Sequence, residues 1–282
     1  MTTIGVTGVT GPFGRLAVER LLARGGSERV VGLARDPSRV SGLDGLDVRP
    51  GDYDQPSALV DALNGVDVLL LVSGNEFGKR VAQHTNVIEA AKAAGVTRVL
   101  YTSAPRADDT ALPVAPEHKA TEEVLRASGL AWTILRNNWY VENYTPQLDR
   151  YLAEGAIVTA AGTGRVGAAP RADFAAGAVA AALGDGHEGR VYELGGPPFT
   201  FDELAAVITD VTGTTVTHRT VSPAELVDAL QGNGLDAGTA GFVASLDEAI
   251  ARGDLDVPSD DLANLLGRPV TPLADAIREA LK

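Results

Sequence analysis

Apolar residues in this chain fall into short unbroken runs, and between the runs the apolar spacing turns helical. Thr3–Thr7, Arg29–Ala34 and Val66–Val72 have almost no polar interruption, as strands covered on both faces require. Arg98–Thr102 and Trp132–Arg136 read as strands of the same kind, and Asp47–Arg49 as a weaker one. Arg15–Ala23 carries Leu16, Val18, Leu21 and Leu22 at helical spacing, Gln55–Leu63 is a short helix, and Glu117–Ala127 is another. Lys79–Ala94 is predicted to bury a stripe of Val81, Thr85, Ile88 and Ala91 and to stop at Gly95. Strands alternating with helices imply right-handed crossovers and an α/β fold, a doubly wound parallel sheet of the Rossmann type.

The second half is more helical. Arg190–Leu194 and Val216–Val221 read as strands. Thr200-Phe201-Asp202-Glu203 and Ser222-Pro223-Ala224-Glu225 are capping boxes that open helices, and Thr271-Pro272 opens the last one. The expected organisation is a sheet-bearing unit at 1–140, with later segments free to return to its sheet, and a smaller α/β unit at 141–282. A cleft should lie between them.

The sharpest local signal is Gly8-Val9-Thr10-Gly11-Pro12-Phe13-Gly14, between the first strand and the first helix. Gly8 permits a tight exit from the strand, Gly11 lets backbone approach a pyrophosphate, and Gly14 lets helix and strand pack closely. Free amides and the helix dipole then favour phosphate. Pro12 donates nothing, which a helix start tolerates. Gly8, Thr10, Gly11, Pro12, Phe13 and Gly14 are therefore the candidate cofactor cradle. NAD-binding folds place a carboxylate on the ribose at the end of the second strand, whereas this chain has Arg35 there. A guanidinium can pair with a 2′-phosphate and stack on adenine, so NADPH is favoured over NADH. Asp36 is the alternative ribose partner should Arg35 turn outward. Ser73 and Gly74, at the end of the fourth strand of the sheet, are candidates to line the adenosine-side ribose.

Asn137, Asn138, Trp139, Tyr140, Asn143 and Tyr144 cluster just after the Trp132–Arg136 strand in a chain with only two tryptophans and six tyrosines. Asn138 is read as holding cofactor, and Trp139, Tyr140, Asn143 and Tyr144 as shaping a pocket for a flat acceptor. Aromatics packing a domain junction would give the same pattern. Arg171 either reaches the cleft or forms a salt bridge, and Asp173 is read as the cap of an alanine-rich helix at Phe174–Leu183. His84 is read as structural, and His187 and His218 as surface residues. His118 is the one candidate proton relay, with a structural or orienting role the stronger reading.

The glycine turn, Gly51-Asp52-Tyr53-Asp54 and the block Asn86–Gly95 before Tyr101-Thr102-Ser103 resemble the atypical, NmrA-like branch of the short-chain dehydrogenase/reductases. That superfamily works through Ser, Tyr and Lys. Ser103 stands where the serine would be, but His118 and Glu122 occupy the Tyr-x-x-x-Lys spacing. Ile134–Tyr144, Glu76–Arg80, Gln83-His84, Arg171–Phe174 and Gly186–Leu194 are further similar to the bacterial type-2 NADPH:quinone oxidoreductases, over nearly the whole chain. The resemblance implies direct hydride transfer from NADPH to a quinone, without flavin. Losing the tyrosine disfavours reduction of simple ketones, whose alkoxide needs an acid. A hydroquinone anion is delocalised and can take its proton later, so orientation suffices. The alternatives are a non-catalytic NADP(H) sensor and a reductase of another conjugated acceptor, such as an azo dye or an enone. No proton donor is assigned.

The absence of cysteine among 282 residues excludes disulfides and thiolate chemistry, and no metal-ligand spacing occurs. A net charge of −13 argues against nucleic-acid partners. No apolar run is long enough to span a membrane, and Met1-Thr2-Thr3-Ile4 reads directly as a strand, so no signal peptide is expected. A cytoplasmic protein acting on a small molecule is the expectation, with its oligomeric state open.

Overall fold

The computed structural model describes all residues, Met1–Lys282. In chain order the elements are β1 (Thr3–Thr7), α1 (Pro12–Ala23), β2 (Arg29–Ala34), β3 (Asp47–Pro50), α2 (Pro56–Leu63), β4 (Val68–Leu71), α3 (Arg80–Ala93), β5 (Arg98–Ser103), α4 (Ala115–Ala127) and β6 (Ala131–Asn137). There follow α5 (Leu148–Glu154), β7 (Ala156–Thr159), β8 (Arg165–Val166), α6 (Arg171–Leu183), β9 (Arg190–Leu194), β10 (Phe199–Thr200) and α7 (Phe201–Thr212). The chain ends with β11 (Thr217–Thr220), α8 (Pro223–Gly232), α9 (Ala237–Ala251), α10 (Asp261–Leu266) and α11 (Leu273–Ala280).

Seven strands form one parallel sheet in the order β3-β2-β1-β4-β5-β6-β9. Side chains alternate across the pleat and both faces are covered, which explains why the inner strands β1 and β4 are apolar almost throughout, while the edge strands β3 and β9 carry polar residues. Ile4, Val6, Leu70, Leu100 and Leu135 face one core, closed by Phe13, Ala17 and Val18 of α1 and Phe174, Ala178 and Val179 of α6. Val31, Leu33, Leu69, Val99 and Ile134 face the other, closed by Leu59 and Leu63 of α2, Val87 and Ile88 of α3 and Leu125 of α4. Each fully buried leucine or isoleucine contributes about 1.5–3 kcal/mol of transfer free energy. The stretch 171–194 thus gives α6 and β9 to the layers of the sheet.

A third core, to which the seven-stranded sheet gives no strand residue and whose surroundings are called the smaller unit below, joins Leu112, Val141, Tyr144, Ile157, Phe199, Phe201, Leu204, Ile208, Ile250 and Ile277. Both capping boxes are formed: Thr200 and Ser222 accept the amides of Glu203 and Glu225, whose carboxylates return to the cap amides. No helix is long and apolar enough to cross a membrane.

Two expectations need correction here. The buried face of α3 is Arg80, Gln83, His84, Val87, Ile88 and Ala91, so the stripe is rotated from the Val81–Thr85 line and polar at its first turn. Asp173 does not cap α6, which begins at Arg171; it is buried in the first turn, accepting from the Thr271 amide at 2.7 Å and from Arg268 at 2.5 Å. One carboxylate thereby pins the Arg268–Thr271 stretch ahead of α11 onto α6.

Candidate functional site

The strand order reverses between β1 and β4, and open α/β sheets place ligands beyond the carboxyl ends of their strands at such a point. A cavity of about 440 Å³ lies there. It runs from Arg35 past Gly8, Thr10, Gly11, Pro12, Phe13 and Gly14 to Ser73, Gly74, Thr102, Tyr140 and Arg171.

The glycine turn has the form a pyrophosphate cradle needs. Gly8 is left-handed at φ 63°, and its carbonyl accepts the Gly11 amide at 2.9 Å. A Cβ on Gly14 would lie 2.5 Å from Gly8 O, so only glycine lets α1 start this close to β1. Pro12 is the first helical residue, and no side chain caps the helix. The Phe13 and Gly14 amides find no acceptor in the chain and remain available to an anion. These features fit a dinucleotide pyrophosphate.

At the adenosine end, Arg35 extends into solvent and pairs with Glu76, Nη1 to Oε1 at 3.3 Å. Gly51, Asp52 and Tyr53 complete this wall. The Tyr53 hydroxyl lies 2.5 Å from Thr7 Oγ1 and 2.8 Å from Val72 O, tying the loop after β3 to the ends of β1 and β4. The Ser73 amide donates to Thr102 Oγ1 at 2.8 Å. The next residue is held at both of its backbone groups: the Gly74 amide donates to His84 Nε2 at 2.9 Å, and Arg80 Nε donates to Gly74 O at 2.8 Å. His84 must therefore carry its proton on Nδ1, which faces Thr121 Oγ1 at 3.1 Å. Burial, reinforced by Arg80, pushes its pKa down to about 3. His84 and Arg80 are positioning residues that the sequence reading did not assign to the site. Their signal was a polar i, i+4 pair beginning a helix just after the β4 loop.

The inner end differs from expectation in several places. Tyr140 lies on the cavity wall, packed on Phe13 and edge-on to Phe174, with the Arg171 guanidinium 4.7 Å from its ring centre. Arg171 therefore reaches the cleft instead of forming a salt bridge. Asn138 is not on the wall. It is buried, donating to Leu255 O at 3.2 Å and accepting from the Trp139 amide, with its amide pressed against Gly167. Both ends of its side chain are engaged, the nitrogen by Leu255 and the oxygen by the backbone of the next residue. Its neighbour Asn137 is the amide that reaches Tyr140, Nδ2 to the hydroxyl at 3.4 Å, while its buried Oδ1 has no partner. Trp139 packs on the core of the smaller unit, and Tyr144 is buried there against Phe199 and Phe201. Neither ring lines the cavity, and half-buried Asn143 is not on its wall either.

An NAD(P)H-binding family matches residues 8–185. The chain is 42% identical to quinone oxidoreductase 2 of Escherichia coli (strain K12) over 97% of each chain. It is 34% identical to an NmrA-like family domain-containing oxidoreductase of Aspergillus flavus, over 98% of this chain and 94% of that one. The chain belongs to the NAD(P)H-binding, NmrA-like family. The crystal structure of the Escherichia coli NADPH-dependent quinone oxidoreductase in complex with NADPH matches with a TM-score of 0.95 and 41% identity, covering 99% of this chain and 100% of that one.

In this NmrA-like chain the positions of a serine–tyrosine–lysine set hold a different network. Ser103 Oγ donates to Glu122 Oε1 at 2.6 Å. Glu122 is fully buried and takes two hydrogen bonds from Arg136, at 2.9 and 2.8 Å, and one from Arg126. Arg136 also holds Asp108 and Glu193. His118 Nδ1 lies 2.7 Å from the buried Tyr101 hydroxyl, and burial, with Arg80 and His84 adding to it, pushes the His118 pKa down to about 3. Neither Ser103 nor His118 lies on the cavity wall, so neither is placed to pass a proton to a ligand. His218 is also corrected: its side chain is buried, bonded to Thr159 and facing Asp202.

Proposed function

We propose that this protein is an NADPH-dependent reductase that passes hydride directly to a quinone, without flavin or metal. The observation that carries the proposal is one continuous cavity joining a phosphate cradle, a guanidinium beyond β2 and an aromatic inner end. Phe13 and Gly14 would hold the pyrophosphate through backbone amides, with Gly11 leaving room for its approach, and Arg35 the 2′-phosphate through charge-assisted hydrogen bonds. Ser73, Gly74 and Thr102 would line the ribose and the path inward. When bound, the dihydronicotinamide supplies the hydride. Tyr140, its ring fixed by Phe13, Phe174 and Arg171, would keep the acceptor flat against it, and Asn137, buried behind the wall, would support the Tyr140 hydroxyl. Of the segment after β6, Tyr140 is the residue we retain for the acceptor. The kinship with quinone oxidoreductase 2 supports the choice of both cofactor and acceptor.

The inner wall presents no tyrosine–lysine pair, and the serine is occupied by Glu122. An acceptor whose reduced anion is stable without an immediate acid suits such a wall. Catalysis would then rest on orientation and exclusion of water. We place this activity in the cytoplasm, where NADPH is available. The test is an acceptor panel with purified protein. Benzoquinones and naphthoquinones should oxidise NADPH, and cyclohexanone should not. Binding of NADPH without turnover of any acceptor would favour a redox sensor.

A further inference from the structure

We propose that Glu76 is a built-in competitor for the cofactor's 2′-phosphate, holding Arg35 in the free protein and so tuning the preference for NADPH over NADH. The inference deepens the reading above and rests on its assignment of Arg35. Arg35 stands at the end of β2, where NAD-binding folds carry the ribose carboxylate. Here the carboxylate comes from the opposite wall, in the loop after β4. Glu76 Oε1 is 3.3 Å from Arg35 Nη1, and both residues line the cavity. Its other oxygen is 3.3 Å from Lys79 Nζ.

That arrangement can exchange partners. The Arg35 side chain is 71% exposed and free to turn toward a ligand, while Glu76 keeps Lys79 as a second cation. A bound 2′-phosphate would take the guanidinium and set its own negative charge beside the carboxylate, a repulsion that screening reduces but does not remove. NADH brings no such charge, and its 2′-hydroxyl can donate to Glu76. One subsite thus holds both recognition elements, the cation for the phosphate and the acceptor for the hydroxyl.

The experiment uses the full chain with Glu76→Gln, Arg35→Ala and the double variant, titrating NADPH and NADH by fluorescence. Glu76→Gln should tighten NADPH by about two- to fivefold, the scale of a part-exposed ion pair. NADH should stay within about twofold or weaken. In the Arg35→Ala background the gain for NADPH should shrink, since no guanidinium is left to compete for. An unchanged or weaker NADPH affinity in Glu76→Gln, or an equal gain for both dinucleotides, would overturn the role of Glu76. Arg35→Ala alone reports on the underlying assignment: it should weaken NADPH far more than NADH, and equal effects would overturn that reading and the competition with it.

Discussion

Replacing Gly14 by alanine would put a methyl carbon 2.5 Å from Gly8 O, 2.8 Å from Gly8 C and 2.9 Å from Thr7 O. All three are backbone atoms, so relief requires α1 to move away from β1. Overpacking of this kind costs about 1–3 kcal/mol. At roughly 2–4 °C per kcal/mol for a chain of this size, Tm should fall by about 2–12 °C. Gly11 behaves differently. Its φ of −84° and ψ of 158° suit alanine, and its nearest neighbour, Gly8 O, would be 3.3 Å from the new carbon. Gly11→Ala should leave stability within about 0.5 kcal/mol of the parent. The methyl would stand where backbone must approach phosphate, weakening NADPH by about tenfold or more, or ~1.4 kcal/mol. Urea unfolding and fluorescence titration on the two variants separate the effects. Full stability in Gly14→Ala, or unchanged NADPH affinity in Gly11→Ala, would refute the division of labour assigned to this turn.

Three other expectations come from the inner end and its supports. Ser103→Ala should keep quinone kcat within about twofold, because the hydroxyl serves Glu122, whereas Glu122→Gln should lose about 3 kcal/mol of stability by leaving Arg136 partly unpaired in the interior. Urea midpoints and steady-state rates on both variants check this. His84 and His118 have their pKa values lowered from 6.5 to about 3, so between those values the unfolded chain binds more protons. Their contribution is complete above about pH 6.5 and is lost as pH falls, by up to roughly 1.4 kcal/mol per pH unit for each ring, which urea midpoints at successive pH values would show. Tyr140→Ala should raise quinone KM by about tenfold by removing the flat wall, and Tyr140→Phe by less than about threefold, since the hydroxyl makes one long hydrogen bond.

The inner sheet was legible because burial on both faces leaves few polar choices: the bounds of β1 and β2 are those of the runs Thr3–Thr7 and Arg29–Ala34. The cradle and the capping boxes were legible because their chemistry is local. Long-range polar pairing was not. Nothing near His84 in sequence indicates that its ring would accept the Gly74 amide, and the burial of Arg80 depends on Glu117 of α4. Asn138 leaves the site for the same reason: its amide is taken by Leu255, more than a hundred positions later. Tyr144 went the same way, since its ring is claimed by Phe199 and Phe201, residues more than fifty positions later. Asp173 looked like a cap because polar residues open helices, whereas its partners, Arg268 and Thr271, lie near the far end of the chain.

Direct transfer of hydride from the dinucleotide to a quinone is most sharply tested by a single-turnover experiment with NADPH deuterated at its transferable position, using protein shown free of flavin. The account predicts one hydroquinone per NADPH and a slower reaction with the deuterated cofactor. Bound NADPH that quinone leaves unoxidised, or turnover that depends on added flavin, would contradict it.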